Sequence, residues 1–199
     1  MKDPNNIKLY YLLKEYDEMF SEKRYYDGRF YSLISLFISL ITVTVSAVAV
    51  IGNIIKFQSN VINGIICLID SIVGGIIFIS LYFNRINYVK VCRQINAIRN
   101  FCLNNNCSEF LPYNHMYTND NFPKYHMKKS IHFILMCFLA ICNSIFLSLT
   151  VLAFVYNLKH ILSIILSSIT FICSITLHML FLIINTKKRD QKSDKTKSF

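Results

Sequence analysis

The sequence predicts an all-α polytopic membrane protein, with four transmembrane helices in two hairpins and helical extensions on the cytoplasmic side. Three observations predict it. No Asp, Glu, Lys or Arg occurs over residues 30–55, 130–158 or 160–186, and over residues 57–84 the single one is Asp70. Each run exceeds the roughly 20 residues that a helix needs to cross about 30 Å of hydrocarbon. The runs also lack the charged face that a soluble amphipathic helix repeats every 3.6 residues. Finally, 19 of the 21 lysines and arginines fall before the first run, between the second and third, or after the fourth; Lys56 and Lys159 are the exceptions. The positive-inside rule makes that side cytoplasmic. The formal net charge of +10 is thereby accounted for as an orientation signal, without nucleic acid.

Residues 1–29 read as a cytoplasmic amphipathic helix. Leu9, Leu12, Leu13, Tyr16 and Phe20 recur at helical spacing with charged side chains between them. Tyr25, Tyr26, Phe30 and Tyr31 form an aromatic collar where the chain should meet lipid headgroups. Such a helix is expected to lie on the membrane or to dock a protein partner. A lead-in of this length and charge also argues against a cleaved leader.

Residues 30–83 form the first transmembrane hairpin. Span one, residues 30–52, carries Ser32, Ser35, Ser39, Thr42, Ser46 and Ala49 in steps of three and four, the seam of a left-handed helix pair written in small residues. In lipid, small residues let helix backbones approach closely. Span two, residues 61–83, sets Asn63, Cys67, Asp70 and Gly74 on one stripe, with Ser71 and Gly75 beside it. Residues 84–130 are the cytoplasmic insertion. Its first part, to Leu103, has neither Gly nor Pro and carries an apolar stripe of Val91, Ile95, Ile98 and Cys102, so span two should continue as a helix until Asn104–Asn106. The Asn-, Tyr- and His-rich remainder, broken by Pro112 and Pro123, reads as an irregular loop. Residues 131–185 form the second hairpin, whose last span repeats the small-residue seam at Ser163, Ser167, Thr170, Ser174 and His178. Residues 186–199 are a basic tail suited to an anionic cytoplasmic leaflet.

Asp70 is the most informative side chain. An ionisable group at the bilayer centre costs about 3 kcal/mol or more, so it is expected to face the bundle interior or a wet cavity. Counting depth along the spans gathers Thr42, Thr44, Asp70, Asn143, Ser144 and Thr170 into one polar layer, with Asn143 as the expected partner of Asp70. His178 falls about 10 Å away along its helix, too far to pair with the carboxyl directly. Asp70 then either belongs to an ion path or fixes helix packing as a hydrogen-bonded carboxyl.

Other chemistry finds little support. All seven cysteines fall within spans or on the cytoplasmic side, so free thiols are expected. Cys102, Cys107, His115 and His126 match no common zinc spacing. Gly-rich phosphate loops, H-E-x-x-H helices and G-x-S-x-G elbows are missing from the sequence. Neither a metal, a cofactor nor an enzymatic reaction is expected. Binding of RNA or a nucleotide by the basic helix after span two is a weaker expectation than a topological role for its charges.

The segment Tyr88-Val89-Lys90-Val91-Cys92-Arg93-Gln94-Ile95-Asn96-Ala97-Ile98-Arg99-Asn100-Phe101 follows directly on a membrane hairpin. It resembles the juxtamembrane helices of small multi-span proteins of prokaryotic anti-phage loci, namely the SLATT-type effectors and the membrane accessory proteins of type VI-B CRISPR loci. The resemblance spans about residues 5–103, although SLATT proteins have two spans rather than four. It implies an oligomeric membrane effector or accessory protein that perturbs the bilayer when a cytoplasmic partner is activated. Arg93, Asn96 and Arg99 are the matching positions, in a coupling role. A small transporter or ion carrier using Asp70, and a membrane scaffold without catalytic activity, are the alternatives. The expected partners are the lipid bilayer, further copies of the chain and a cytoplasmic protein. The expected location is the inner (plasma) membrane with both termini cytoplasmic. In a eukaryotic cell, the Lys195–Phe199 sequence would resemble a dilysine signal for the endoplasmic reticulum membrane.

Overall fold

The computed structural model describes residues 4–54, 59–106, 119, 121–155 and 160–195, with side chains placed over 10–50, 60–104, 119, 121–155 and 161–193. Four helices account for nearly all of them: α1 (Pro4–Ile54), α2 (Ser59–Asn106), α3 (Ile131–Val155) and α4 (His160–Lys195). All four are long and apolar enough to cross a membrane. The all-α, four-span class that the charge-free runs predict is therefore the observed one. Three helices run well past their spans. At 51 and 48 residues, α1 and α2 are each more than twice the length that a crossing needs. Residues 4–29 are accordingly the first part of α1 and not a separate helix. Cys107, His115, most of the predicted loop and the last residues of the tail lie outside the described residues.

The chain divides into two compact units. One comprises residues 31–82 and 128–185, the other residues 1–30, 83–127 and 186–199.

The apolar unit contains the four candidate spans. Its outer surface is aliphatic and aromatic, with Leu36, Val43, Ile69, Ile72, Ile76, Ile134, Ile169 and Leu177 exposed, as lipid requires. Many of its polar side chains turn inward instead. Cys67, Asp70, Ser71, Thr44, Asn143, Ser144, Thr150, Ser163, Ser167 and Ser174 are all buried, beside Phe37, Ile77, Phe78, Leu81, Leu139 and Leu182. The α2 stripe read from the sequence is thus the buried face of that helix. The two serine seams, however, face opposite ways. Ser163, Ser167 and Ser174 of α4 point inward, whereas Ser32, Ser35, Ser39, Thr42 and Ser46 of α1 are all exposed. On α1 the inward positions are Ile34, Phe37 and Thr44. Their spacing of three and seven residues is as helical as that of the serines, and the larger apolar area decides which face is buried.

Close approach depends on two glycines of α2. A Cβ on Gly64 would lie 3.1 Å from the Cβ of Ala153. One on Gly74 would collide with Asn143 Oδ1 and sit 3.1 Å from the Phe37 ring. The neighbouring Gly75 has room, since a Cβ there meets only Asn143 Nδ2 at 3.9 Å.

The polar unit joins the first part of α1, the last part of α2, residues 119–127 and the tail of α4. Val91, Ile95 and Ile98 of α2 are buried, as their stripe predicts. From α1, Phe30 is fully buried, and Leu12, Tyr16, Phe20 and Tyr26 are partly so. Leu13, expected on the same apolar face, is instead 54% exposed. In the aromatic collar, Tyr25 and Tyr31 are exposed while Phe30 is inside.

The glycines provide a test of the helix contacts. Gly74→Ala should destabilise the protein by about 2 kcal/mol through overpacking. Gly75→Ala should instead gain a few tenths to about 1 kcal/mol from helix propensity. Thermal unfolding in detergent should accordingly place the two variants on opposite sides of wild type.

Candidate functional site

Polar side chains from all four helices meet inside the apolar unit, where lipid offers no hydrogen bonds. The α3–α4 contact is built of serines. Ser144 Oγ lies 3.0 Å from Ser174 Oγ and 2.8 Å from the carbonyl of Ala140, either of which can accept its one proton. The Ser148 and Ser167 hydroxyls lie 2.7 Å apart, each 3.0 Å from the other's carbonyl, so their two protons are shared among these three contacts. Small-residue steps on α4 let the backbones come near enough for these exchanges.

His178 sits one turn from Ser174. Its Nδ1 lies 2.8 Å from the Ser174 carbonyl, so Nδ1 carries the proton and donates it. Nε2 is then an acceptor and takes a hydrogen bond from Asn143 Nδ2 at 3.3 Å. With its amide nitrogen held there, Asn143 aims Oδ1 at the bare Gly74 backbone. His178 also lines a groove of roughly 360 Å³ with Gly75, Phe78, Ile79, Leu177 and Phe181.

Asp70 is 3% exposed. Its carboxyl is within hydrogen-bonding reach of the Thr44 hydroxyl, which is also buried. Oδ2 has no hydrogen-bond partner among the described residues. The polar layer read from the sequence therefore separates into parts. Asp70 pairs with Thr44, Asn143 with His178, and Ser144 with Ser174. The expected bond between Asp70 and Asn143 gives way because the Asn143 amide is oriented by His178, a residue that depth counting set apart. Thr42 and Thr170 leave the layer altogether. Their hydroxyls bond the carbonyls of Ile38 and Leu166 one turn back on their own helices, at 3.0 and 2.8 Å, and Thr42 faces outward.

The polar unit centres on Asp190. One carboxylate oxygen accepts from the Tyr125 N–H at 2.9 Å and from Arg93 Nη2 at 3.1 Å; the other accepts from the His126 N–H at 2.9 Å. Arg93 also donates to Ser193 Oγ and to the Pro123 carbonyl, and its guanidinium stacks 4.5 Å from the Tyr125 ring. Both partners of the ion pair are largely buried, at 12% and 16% side-chain exposure. That burial is sustainable only because further hydrogen bonds satisfy the remaining donors and acceptors.

Asn96 donates to the carbonyls of Asn119 and Phe122, at 3.1 and 2.8 Å, and Arg85 donates to that of Lys124 at 3.3 Å. Asn119 folds its own turn by accepting from the Asn121 N–H. Arg99 reaches the Tyr16 hydroxyl at 2.9 Å and lies over the Tyr16 and Phe20 rings, while Gln94 bonds Glu15 and Asn84 bonds the Tyr26 carbonyl. The three positions matched by the resemblance thus hold distinct parts: Arg93 the α4 tail, Asn96 the loop, and Arg99 the start of α1. Asp190 was not singled out from the sequence, and one of the two acidic residues of a basic tail, placed near Arg189 and Lys192, carries no local signal. His126, from the weighed metal set, lies 3.1 Å from the Thr186 hydroxyl through Nδ1. Among the described residues there is no group of three His, Cys, Asp or Glu side chains fit to hold a metal.

Asp190→Ala should release the Tyr125 and His126 amides. Each lost hydrogen bond to a charged acceptor is worth about 2 kcal/mol. Hydrogen exchange of residues 121–127 should therefore accelerate about 30-fold, while peptides from α3 keep wild-type protection.

Against known protein families, curated proteins and solved structures, the chain has no match.

Proposed function

We propose that the protein is an oligomeric integral membrane effector or accessory protein. Its copies meet along the outer face of α1, and its polar unit, on the cytoplasmic side, receives a protein partner that controls bilayer permeability. The observation that carries this reading is the contrast between the two serine seams. The α4 seam is consumed within the chain by α3. The α1 seam, of the same spacing, stays uncovered over Ser32, Ser35, Ser39, Thr42 and Ser46.

Two of its hydroxyls are already satisfied by their own helix, Thr42 at the Ile38 carbonyl and Ser46 at the Thr42 carbonyl. The face is thus short-chained, the kind of surface on which a second helix packs closely in lipid. The clustering of basic residues in the polar unit supports its cytoplasmic placement. The likeness of residues 88–101 to anti-phage effectors supports a membrane-perturbing role in defence.

The test is a pair of substitutions on the uncovered face. Wild-type protein in lipid nanodiscs or mild detergent should sediment as an oligomer, and Ser35→Leu/Ser39→Leu should sediment as a monomer with an unchanged melting temperature. Dye release from vesicles should fall at least tenfold in the variant. Monomeric wild-type protein, or a variant with undiminished assembly, would contradict the reading.

A further inference from the structure

Three oxygen atoms on the inner stripe of the apolar unit lack a hydrogen-bond partner among the described residues: Asn63 Oδ1, Asp70 Oδ2 and Asn143 Oδ1. All three are buried and all are acceptors, so what each lacks is a donor. A buried polar atom left unmet costs about 1–3 kcal/mol, and hydrocarbon cannot relieve it.

Their spacing indicates what does. Asn63 and Asp70 are seven residues apart on α2, about 10 Å along the helix axis, and Asn143 Oδ1 lies at Gly74, about 6 Å further on. Each gap exceeds the roughly 5.5 Å that one water spans between two acceptors and suits a short file of several, each bringing two donors. Cys67 and Ser71 are buried on the same stripe and extend its polar lining.

The row runs toward the start of α2 at one end and meets an apolar segment at the other. Asn63 is one turn from Ser59, where α2 begins. Beyond Gly74 the stripe becomes apolar, and Ile77, Phe78, Leu81 and Tyr82 are each 4% exposed or less. There Phe78 packs edge-on against His178 with centroids 4.9 Å apart, and Tyr82 packs against Phe181 at 5.1 Å.

We propose that the inner stripe of α2 is a water-filled half-channel, entered from the Ser59 end, that delivers protons to Asp70 and stops at the Phe78–Phe181 aromatic plug. A hydronium relayed along the file gives its proton to the Asp70 carboxylate at Oδ2, leaving water and a neutral carboxyl, and release follows the same route. Thr44 keeps its hydrogen bond to the carboxyl, and Asn143 Oδ1 accepts from the last water. Cys67 on this stripe and His178 of α4, bonded to Asn143, are the other titratable groups near it. His178 Nε2 is already occupied by Asn143, so Asp70 is the terminus. The inference goes beyond the oligomer and does not depend on it, since every residue belongs to one chain.

Cys67 lies three residues before Asp70 and reports on water in the native protein. The full chain in vesicles is exposed to silver ion, which follows a file of water and bonds thiols. It is then unfolded and alkylated with a maleimide. Cys67 should become protected at least tenfold faster than Cys173, which faces lipid, and Cys137. Protection of Cys67 no faster than theirs overturns the half-channel. Asp70→Leu removes the carboxyl that anchors the water and should slow protection of Cys67 at least tenfold; an unchanged rate overturns the role of Asp70. The wild-type chain gives a measurement that needs no substitution. Dicyclohexylcarbodiimide adds to a protonated carboxyl and should modify Asp70, as read by mass spectrometry. An unmodified Asp70 overturns proton delivery.

Discussion

A backbone or side-chain polar group in hydrocarbon must find its partner within the protein, and the apolar unit is organised by that constraint. Unbroken helices satisfy the backbone. The side chains are then sorted by what they can bond. Aliphatic residues cover the outside, while Asn143, His178, Ser144, Ser174, Ser148 and Ser167 turn inward and bond one another across helices. Gly74 follows from the same requirement, because Asn143 can reach His178 only if the α2 backbone leaves room for its amide. Where an acceptor finds no donor among the described residues, as at Asp70 Oδ2, water is the donor that the proposed half-channel supplies.

The polar unit solves a different problem with different chemistry. Its apolar stripe is narrow, and residues 121–126 have no regular structure with which to satisfy their own backbone. Long polar side chains of α2 do so instead. Asn96, Arg93 and Arg85 donate in turn to the carbonyls of Phe122, Pro123 and Lys124, so the loop runs back along the helix residue by residue. Asp190 completes the arrangement from α4 by accepting the next two amides. Arginine suits these positions because its rigid planar fork can meet a carboxylate and a carbonyl together. Basic residues that flank the candidate spans therefore also hold the loop between α2 and α3.

The helices were legible in the sequence to within a few residues, because charge-free length and the absence of Gly and Pro are local properties, except that α4 continues ten residues into the predicted tail, to Lys195. The buried faces of α2 and α4 were legible too, since polar residues in a span mark its inner side. The face of α1 was not. Its serines and its Ile34–Phe37–Thr44 line have equally helical spacing, and only the neighbouring helices decide which is covered. Long-range pairing was the other illegible feature. The Arg93–Asp190 and Asn143–His178 contacts join residues 97 and 35 positions apart. Depth counting aligned Asn143 with Asp70 correctly enough to make it a candidate partner. It could not show that a histidine one layer away would claim the amide.

An uncovered small-residue face on α1 is the feature on which the oligomeric reading stands or falls. Spin labels attached singly at Ser39→Cys and at Val45→Cys, in a chain whose native cysteines are replaced, measure it directly in lipid. Both positions are exposed on α1, but Val45 lies about a quarter turn from the seam. Packing along the seam requires strong dipolar coupling between copies at position 39 and markedly weaker coupling at position 45. Coupling that is absent at position 39, or equal at the two positions, would mean that α1 faces lipid and that the copies do not meet there.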